Sequence, residues 1–136
     1  MATLSKILTA VKATLTANAA VAGVLGSRIF TERLPQNSPT FPAAIVDVDL
    51  DPMHAHDGPR TGNHAQATVG LTLYGRTDAD QVADLADKIA AAIVDLDGSI
   101  DGQVYSGAKL VEIESPAWDD ETRTWLLDME FEVIVT

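Results

Sequence analysis

Apolar positions recur along this chain with two periods, and the switch between them marks its elements. Leu4, Ile7, Leu8, Val11 and Leu15 fall at helical spacing, with Lys6, Thr9, Lys12 and Thr16 on the other side. That spacing predicts an amphipathic helix of about four turns. Asn18 suits the N-cap of a second short helix over Ala19–Leu25, and Gly26 suits its end. A short extended segment over 28–34 leads into PQNSPTFP, where Pro35, Pro39 and Pro42 predict a loop. From residue 43 the period becomes two. Val46, Val48 and Leu50 share one face of a predicted strand, and Asp47, Asp49 and Asp51 the other. Residues 65–74 alternate again, with Ala67, Val69, Leu71 and Leu73 inward and Gln66, Thr68, Thr72 and Tyr74 outward.

Helical spacing returns over 77–96, where Val82, Leu85, Ala86, Ile89, Ile93 and Leu96 form one stripe. Thr77 or Asp78 is the expected cap, with Gln81 completing a capping box with Asp78. Residues 109–114 (KLVEIE) predict a strand, SPAWDDET a turn, and Thr124–Val135 the closing strand. In that last segment Trp125, Leu127, Met129, Phe131, Val133 and Val135 oppose Asp128, Glu130 and Glu132. The order of elements predicts an α+β fold: one domain over 1–136, an antiparallel β-sheet with helices packed on one face, and a long β-hairpin loop. Open antiparallel sheets have edges that a further strand can cover, and the hairpin over 43–74 and the last strand are the candidates for such a contact.

Composition narrows the function. A chain of 136 residues with 46% hydrophobic content has the material for one core. The absence of cysteine removes disulfides, thiol nucleophiles and thiolate zinc sites. No apolar run approaches the roughly 18–20 residues that span a bilayer, so no membrane partner is expected. A net charge of −11 disfavours binding to phosphate backbones or anionic lipid.

Two groups of residues remain as candidates. DPMHAHDGPRTGNH, residues 51–64, holds all the histidines of the chain. His54, His56, Asp57 and His64 suggest a metal site, and HxHD resembles part of the HxHxDH run of metallo-β-lactamase-type hydrolases. Gly58-Pro59 stands where that run has its next histidine, and no further histidine is present to complete a ligand set. Long loops in compact domains commonly carry function, so His54, His56, Asp57, Arg60 and His64 are read as a loop that reaches a neighbouring subunit. The second group is acidic: Asp47, Asp49, Asp128, Glu130 and Glu132, with Asp51, Glu112 and Glu114 nearby. On one sheet they form either a solvated face, a surface for cations or a basic partner, or a channel wall. No Walker loop, GxSxG or HExxH occurs, and no catalytic, cofactor-binding or metal-ligating residue is expected.

Three strings, VAGVLGSRIFTERLPQNSPTFPAAIV, LTLYGRTDADQVADLADKIAAAIVDLDG and ETRTWLLDMEFEVIV, together resemble the tail terminator family of long-tailed bacteriophages. These are also called tail-completion or tail-to-head joining proteins. Arg28, Ile29 and Phe30 match an Arg-Ile-aromatic segment, Phe41 and Pro42 the end of a Pro-rich loop, and residues 74–80 a strand entering an Asp-rich helix start. The histidine loop lies outside the matched pattern. The resemblance implies a structural virion protein, not an enzyme and without cofactors. Such a protein forms a homo-hexameric ring that caps the tail tube, ends tube polymerisation and joins the tail to the head connector. Its partners would be itself, the tail tube protein and the connector, with DNA passing through without specific binding. It would sit at the head-proximal end of the tail of a phage, prophage or gene-transfer particle, assembled in the host bacterial cytoplasm. The alternatives are another ring-forming tail tube or head–tail adaptor subunit and, more remotely, a metal-dependent hydrolase using the histidine loop.

Overall fold

A computed structural model describes residues 3–31, 34, 40–52 and 65–136. Two helices open the chain, α1 (Leu4–Ala17) and α2 (Ala19–Leu25), meeting at 95°. Asn18 makes that corner. Its Oδ1 accepts from the backbone N–H groups of Ala20 and Val21 at 3.1 and 3.2 Å, satisfying donors that a helix start leaves open. Gly26 ends α2 at φ 56°, a conformation that costs glycine little.

The strands are β1 (Ile29–Phe30), β2 (Ala43–Pro52), β3 (Ala65–Gly75), β4 (Gly98–Ile100), β5 (Gln103–Ile113), β6 (Ala117–Asp119) and β7 (Thr124–Val135). Helix α3 (Ala79–Ala92) runs between β3 and β4 and tightens into a 3-10 turn over Ile93–Asp95. The sheet order is β1-β2-β3-β7-β5-β4, with β6 also paired to β7. The β1–β2 pair is parallel and the others are antiparallel, so the expected antiparallel sheet carries one short parallel edge.

The alternating pattern decides which face is covered. Ala67, Val69, Leu71 and Leu73 of β3 and Leu127, Met129, Phe131, Val133 and Val135 of β7 are buried. They pack with Ile7, Val11 and Leu15 of α1, Val21 and Leu25 of α2, and Val82, Leu85 and Ile89 of α3 in one core. The helices thus form a single layer on the apolar face, and the carboxylates turn to the other face. Gln103 is the large polar residue in this interior. Its Oε1 accepts from Thr3 N at 3.1 Å and its Nε2 donates to the Tyr105 hydroxyl at 3.0 Å, tying the start of α1 to β5. Arg28 secures the other side: Nε donates to Pro42 O and Nη2 to Val24 O, both at 2.8 Å. Across this corner the Arg76 guanidinium lies 4.5 Å over the Phe41 ring, at a cis Phe41–Pro42 bond.

Several expectations change. Asp78 caps α3, its Oδ1 accepting from Gln81 N at 2.9 Å, but Gln81 Oε1 accepts from Arg76 N and Thr77 N instead of closing the box on Asp78. The strand expected over 109–114 begins at Gln103, because Tyr105 and Ser106 pair with Val135 and Ile134 and the ladder resumes at Lys109 after a bulge. The expected turn SPAWDDET contains β6, where Trp118 pairs with Trp125 and their rings meet edge-on at 5.6 Å. The last strand is not an edge: β3 pairs along one side of it, β5 and β6 along the other. It cannot accept a neighbour's strand.

Beyond β6 the Thr122 hydroxyl donates to Asp119 Oδ2 at 2.6 Å and Glu121 N to Oδ1 at 3.3 Å. These bonds, Thr122's foremost, hold the Asp119 carboxyl below its ordinary 3.8. A pKa lowered by folding stabilises the fold above the unfolded-chain value, and the contribution is lost as pH falls through the folded value. NMR titration of Asp119 is expected to give a pKa below 3.8 that moves towards 3.8 in Thr122→Ala. The stability difference between the two proteins should be present at neutral pH and disappear in strong acid. For the core, Phe131→Ala removes a fully buried ring and is expected to cost about 3–5 kcal/mol in urea unfolding.

Candidate functional site

The face away from the helices is built by β2, β3, β7 and β5, and register lines its residues in rows. One row runs Asp47, Gly70, Glu130, Glu112. The next runs Asp49, Thr68, Glu132, Lys109. On the other side Thr72 stands beside Asp128, and Glu114 N donates to Asp128 O at 2.9 Å. All five acidic residues singled out from the sequence, Asp47, Asp49, Asp128, Glu130 and Glu132, therefore share this face, and Glu112 and Glu114 join them.

Glu112 reaches the face through irregularity in β5. The strand is bulged between Ser106 and Lys109 and again between Leu110 and Glu112. The second bulge takes up Val111, so that Glu112 lies opposite Glu130 and Ile113 opposite Met129. Simple alternation from Lys109 would have sent Glu112 to the helix side.

Asp47, Gly70, Thr72, Glu112, Glu114, Asp128 and Glu130 line a shallow cavity of about 240 Å³. Gly70 makes its floor. A Cβ built there would lie 2.5 Å from Asp47 Oδ1, so the missing side chain lets that carboxylate lean over the row. Part of the charge is met by neutral donors. The Thr72 hydroxyl donates to Asp128 Oδ1 at 2.8 Å and Gln66 Nε2 donates to Glu132 Oε2. Among the described residues Lys109 brings a cation near: its Nζ lies 3.7 Å from Glu132 Oε1, mostly in solvent, where such pairs contribute little. The field reaches the end of β3, where burial, then Asp128 and Asp119, raise the Tyr74 pKa above its ordinary 10.0.

The outward positions of β3 supply what the acids alone did not show. Gln66 and Thr72 were legible as outward-facing, and Gly70 stands in the same alternation. Their roles depend on which strands flank β3. His54, His56, Asp57, Arg60 and His64 lie outside the described residues. Among the described residues, no group of three or more His, Asp or Glu is placed to hold a metal ion. The arrangement is a concentrated negative field on one side of the sheet.

Facing carboxylates have a measurable consequence. Glu112 and Glu130 are direct cross-strand partners, and such like-charge pairs destabilise by about 0.2–1 kcal/mol. Glu112→Lys is expected to raise stability by about that much, read as a shift in urea midpoint. The gain should shrink towards about 1 M salt, where the screening length falls to about 3 Å.

Comparison with known proteins places this sheet in a setting. A family model described as "Tail completion protein gp17" matches residues 9–136. No curated protein matches. Among solved structures, a chain from "Virion of native gene transfer agent (GTA) particle" superposes with a TM-score of 0.70 at 18% identity, covering 96% of this chain and 95% of that one. At that identity the likeness establishes the fold. The family match takes in Arg28, Phe41–Pro42, α3 and the whole acidic face, and the chain belongs to the tail completion protein gp17 family of phage tail structural proteins.

Proposed function

We propose that this protein is a non-catalytic ring subunit that caps the tail tube at its head-proximal end, stops tube polymerisation and joins the tail to the head connector. Six copies would form the ring, with the acidic sheet face turned to the lumen. The observation that carries this reading is that face itself. Asp47, Asp49, Asp128, Glu130 and Glu132 share one side of the sheet, and among the described residues no three His, Asp or Glu are placed to hold a metal ion.

Charge supports the lumen assignment. A wall carrying like charge to DNA repels phosphates within a screening length, about 8 Å at physiological ionic strength. Passing DNA then does not adhere to it. A head-to-tail ring also needs two different complementary borders on each subunit. The loop carrying His54, His56, Asp57, Arg60 and His64 joins the long strands β2 and β3, and we assign it to contact with a neighbouring subunit or the tube.

Electron microscopy of the protein with tail tubes is expected to show single rings at one tube end. Long tubes formed by this protein alone would make it a tube subunit instead. Asp128→Lys with Glu130→Lys alters the middle of the face and leaves the sheet borders intact. It is expected to preserve ring assembly and to slow DNA delivery, measured as the time from adsorption to genome entry. Unchanged delivery would remove this face from the lumen.

A further inference from the structure

The four long strands β2-β3-β7-β5 have two unlike open borders. On β2, strand β1 pairs with Ala44 and Ile45 only. On β5, strand β4 pairs with residues 103–105 only. Among the described residues, no strand covers residues 46–51 of β2 or residues 106–113 of β5 on their outer sides. Both stretches present backbone donors and acceptors of the kind that recruit another strand.

We infer that residues 106–113 of β5 in one copy pair with residues 46–51 of β2 in the next copy, continuing the sheet from subunit to subunit. The inference rests on the ring reading above and names its joint.

Strand direction favours this pairing. β2 and β7 run one way and β3 and β5 the other. A neighbour's β2 placed beside β5 by rotation about an axis along the strands is therefore antiparallel to it. The alternation passes through the joint unbroken, and the acidic faces stay on the same side. Because the two borders differ, the contact is head-to-tail and can close into a ring. Pairing of like borders would stop at a two-fold dimer.

Charge points the same way. The β2 border carries exposed Asp47, Asp49 and Asp51 on its outer face. Two such borders together would set acid against acid, which is destabilising. Within residues 106–113 the β5 border carries one acid, Glu112, and also Lys109, the one basic residue in the four long strands, with its side chain 72% exposed. Placed beside a neighbour's β2, Lys109 gives its aspartates a cation that a second β2 border lacks.

On the helix side, Leu110 and Ile113 of β5 are 41% and 39% exposed, and Val48 and Leu50 of β2 are half-buried. The joint sets these apolar pairs side by side, and each covers the other. The two bulges in β5 bend the border strand, which supplies curvature for closure.

The chain has no cysteine, so introduced pairs report alone. Four full-length double variants, Ser106→Cys or Glu112→Cys combined with Asp47→Cys or Asp49→Cys, sample the antiparallel registers. A disulfide requires Cβ atoms about 3.5–4.5 Å apart. After oxidation, at least one combination is expected to give a covalent ladder of chains on denaturing gels, with none from the single variants. Lys109→Glu is expected to raise the concentration at which rings dissociate tenfold or more, by light scattering, and adding Asp47→Lys with Asp49→Lys to restore it. Wild-type rings with no ladder from any combination, and with Lys109→Glu dissociating as wild type, would overturn this joint and leave the ring reading standing. A wild-type monomer at every concentration, with and without tail tubes, would overturn both.

Discussion

Pairing of β3 with β7 is the interaction from which the rest of the structure follows. Their register runs unbroken from Ala65 opposite Val135 to Gly75 opposite Trp125. Along it, every second residue from Ala65 to Leu73 and from Leu127 to Val135 is apolar and buried. Because strand side chains alternate with period two, a one-residue slip would carry Asp128, Glu130 and Glu132 into the core and Phe131 into water. The pairing therefore has one acceptable register, and that register creates the acidic face.

Magnitudes explain why so much like charge is tolerated. Burying a large apolar side chain is worth about 1.5–3 kcal/mol, and the central pair buries Val69, Leu71, Leu73, Leu127, Met129, Phe131 and Val133. A facing pair of carboxylates costs about 0.2–1 kcal/mol. Burial dominates, and Gly70, Thr72 and Gln66 lower the remaining cost by leaving space or donating hydrogen bonds. A face assembled against its own electrostatics in this way suits a surface selected for its field, consistent with the lumen role proposed for it.

The borders follow from the same centre. Placing β7 in the interior leaves β2 and β5 outermost among the long strands, one lined by aspartates and one carrying Lys109 as well as Glu112. The corner held by Arg28, Pro42, Phe41 and Arg76 keeps α2, β1 and the start of β2 together.

Local physics made much of this legible in the amino-acid order alone. Asn18 and Asp78 announce helix starts because their short side chains satisfy nearby backbone donors. The period-two runs assign Asp47, Asp49, Asp128, Glu130 and Glu132 to faces opposite the core, and the strings around Arg28, Phe41–Pro42 and residues 74–80 carry the family resemblance. Beyond the hairpin of β2 and β3, strand neighbours were not legible, because alternation says which way a side chain points and nothing about which strand lies beside it. The interior place of β7, the bulges that bring Glu112 opposite Glu130, the small strand β6 and the open borders of β2 and β5 come from pairing between residues far apart in the chain. Only the three-dimensional packing decides those.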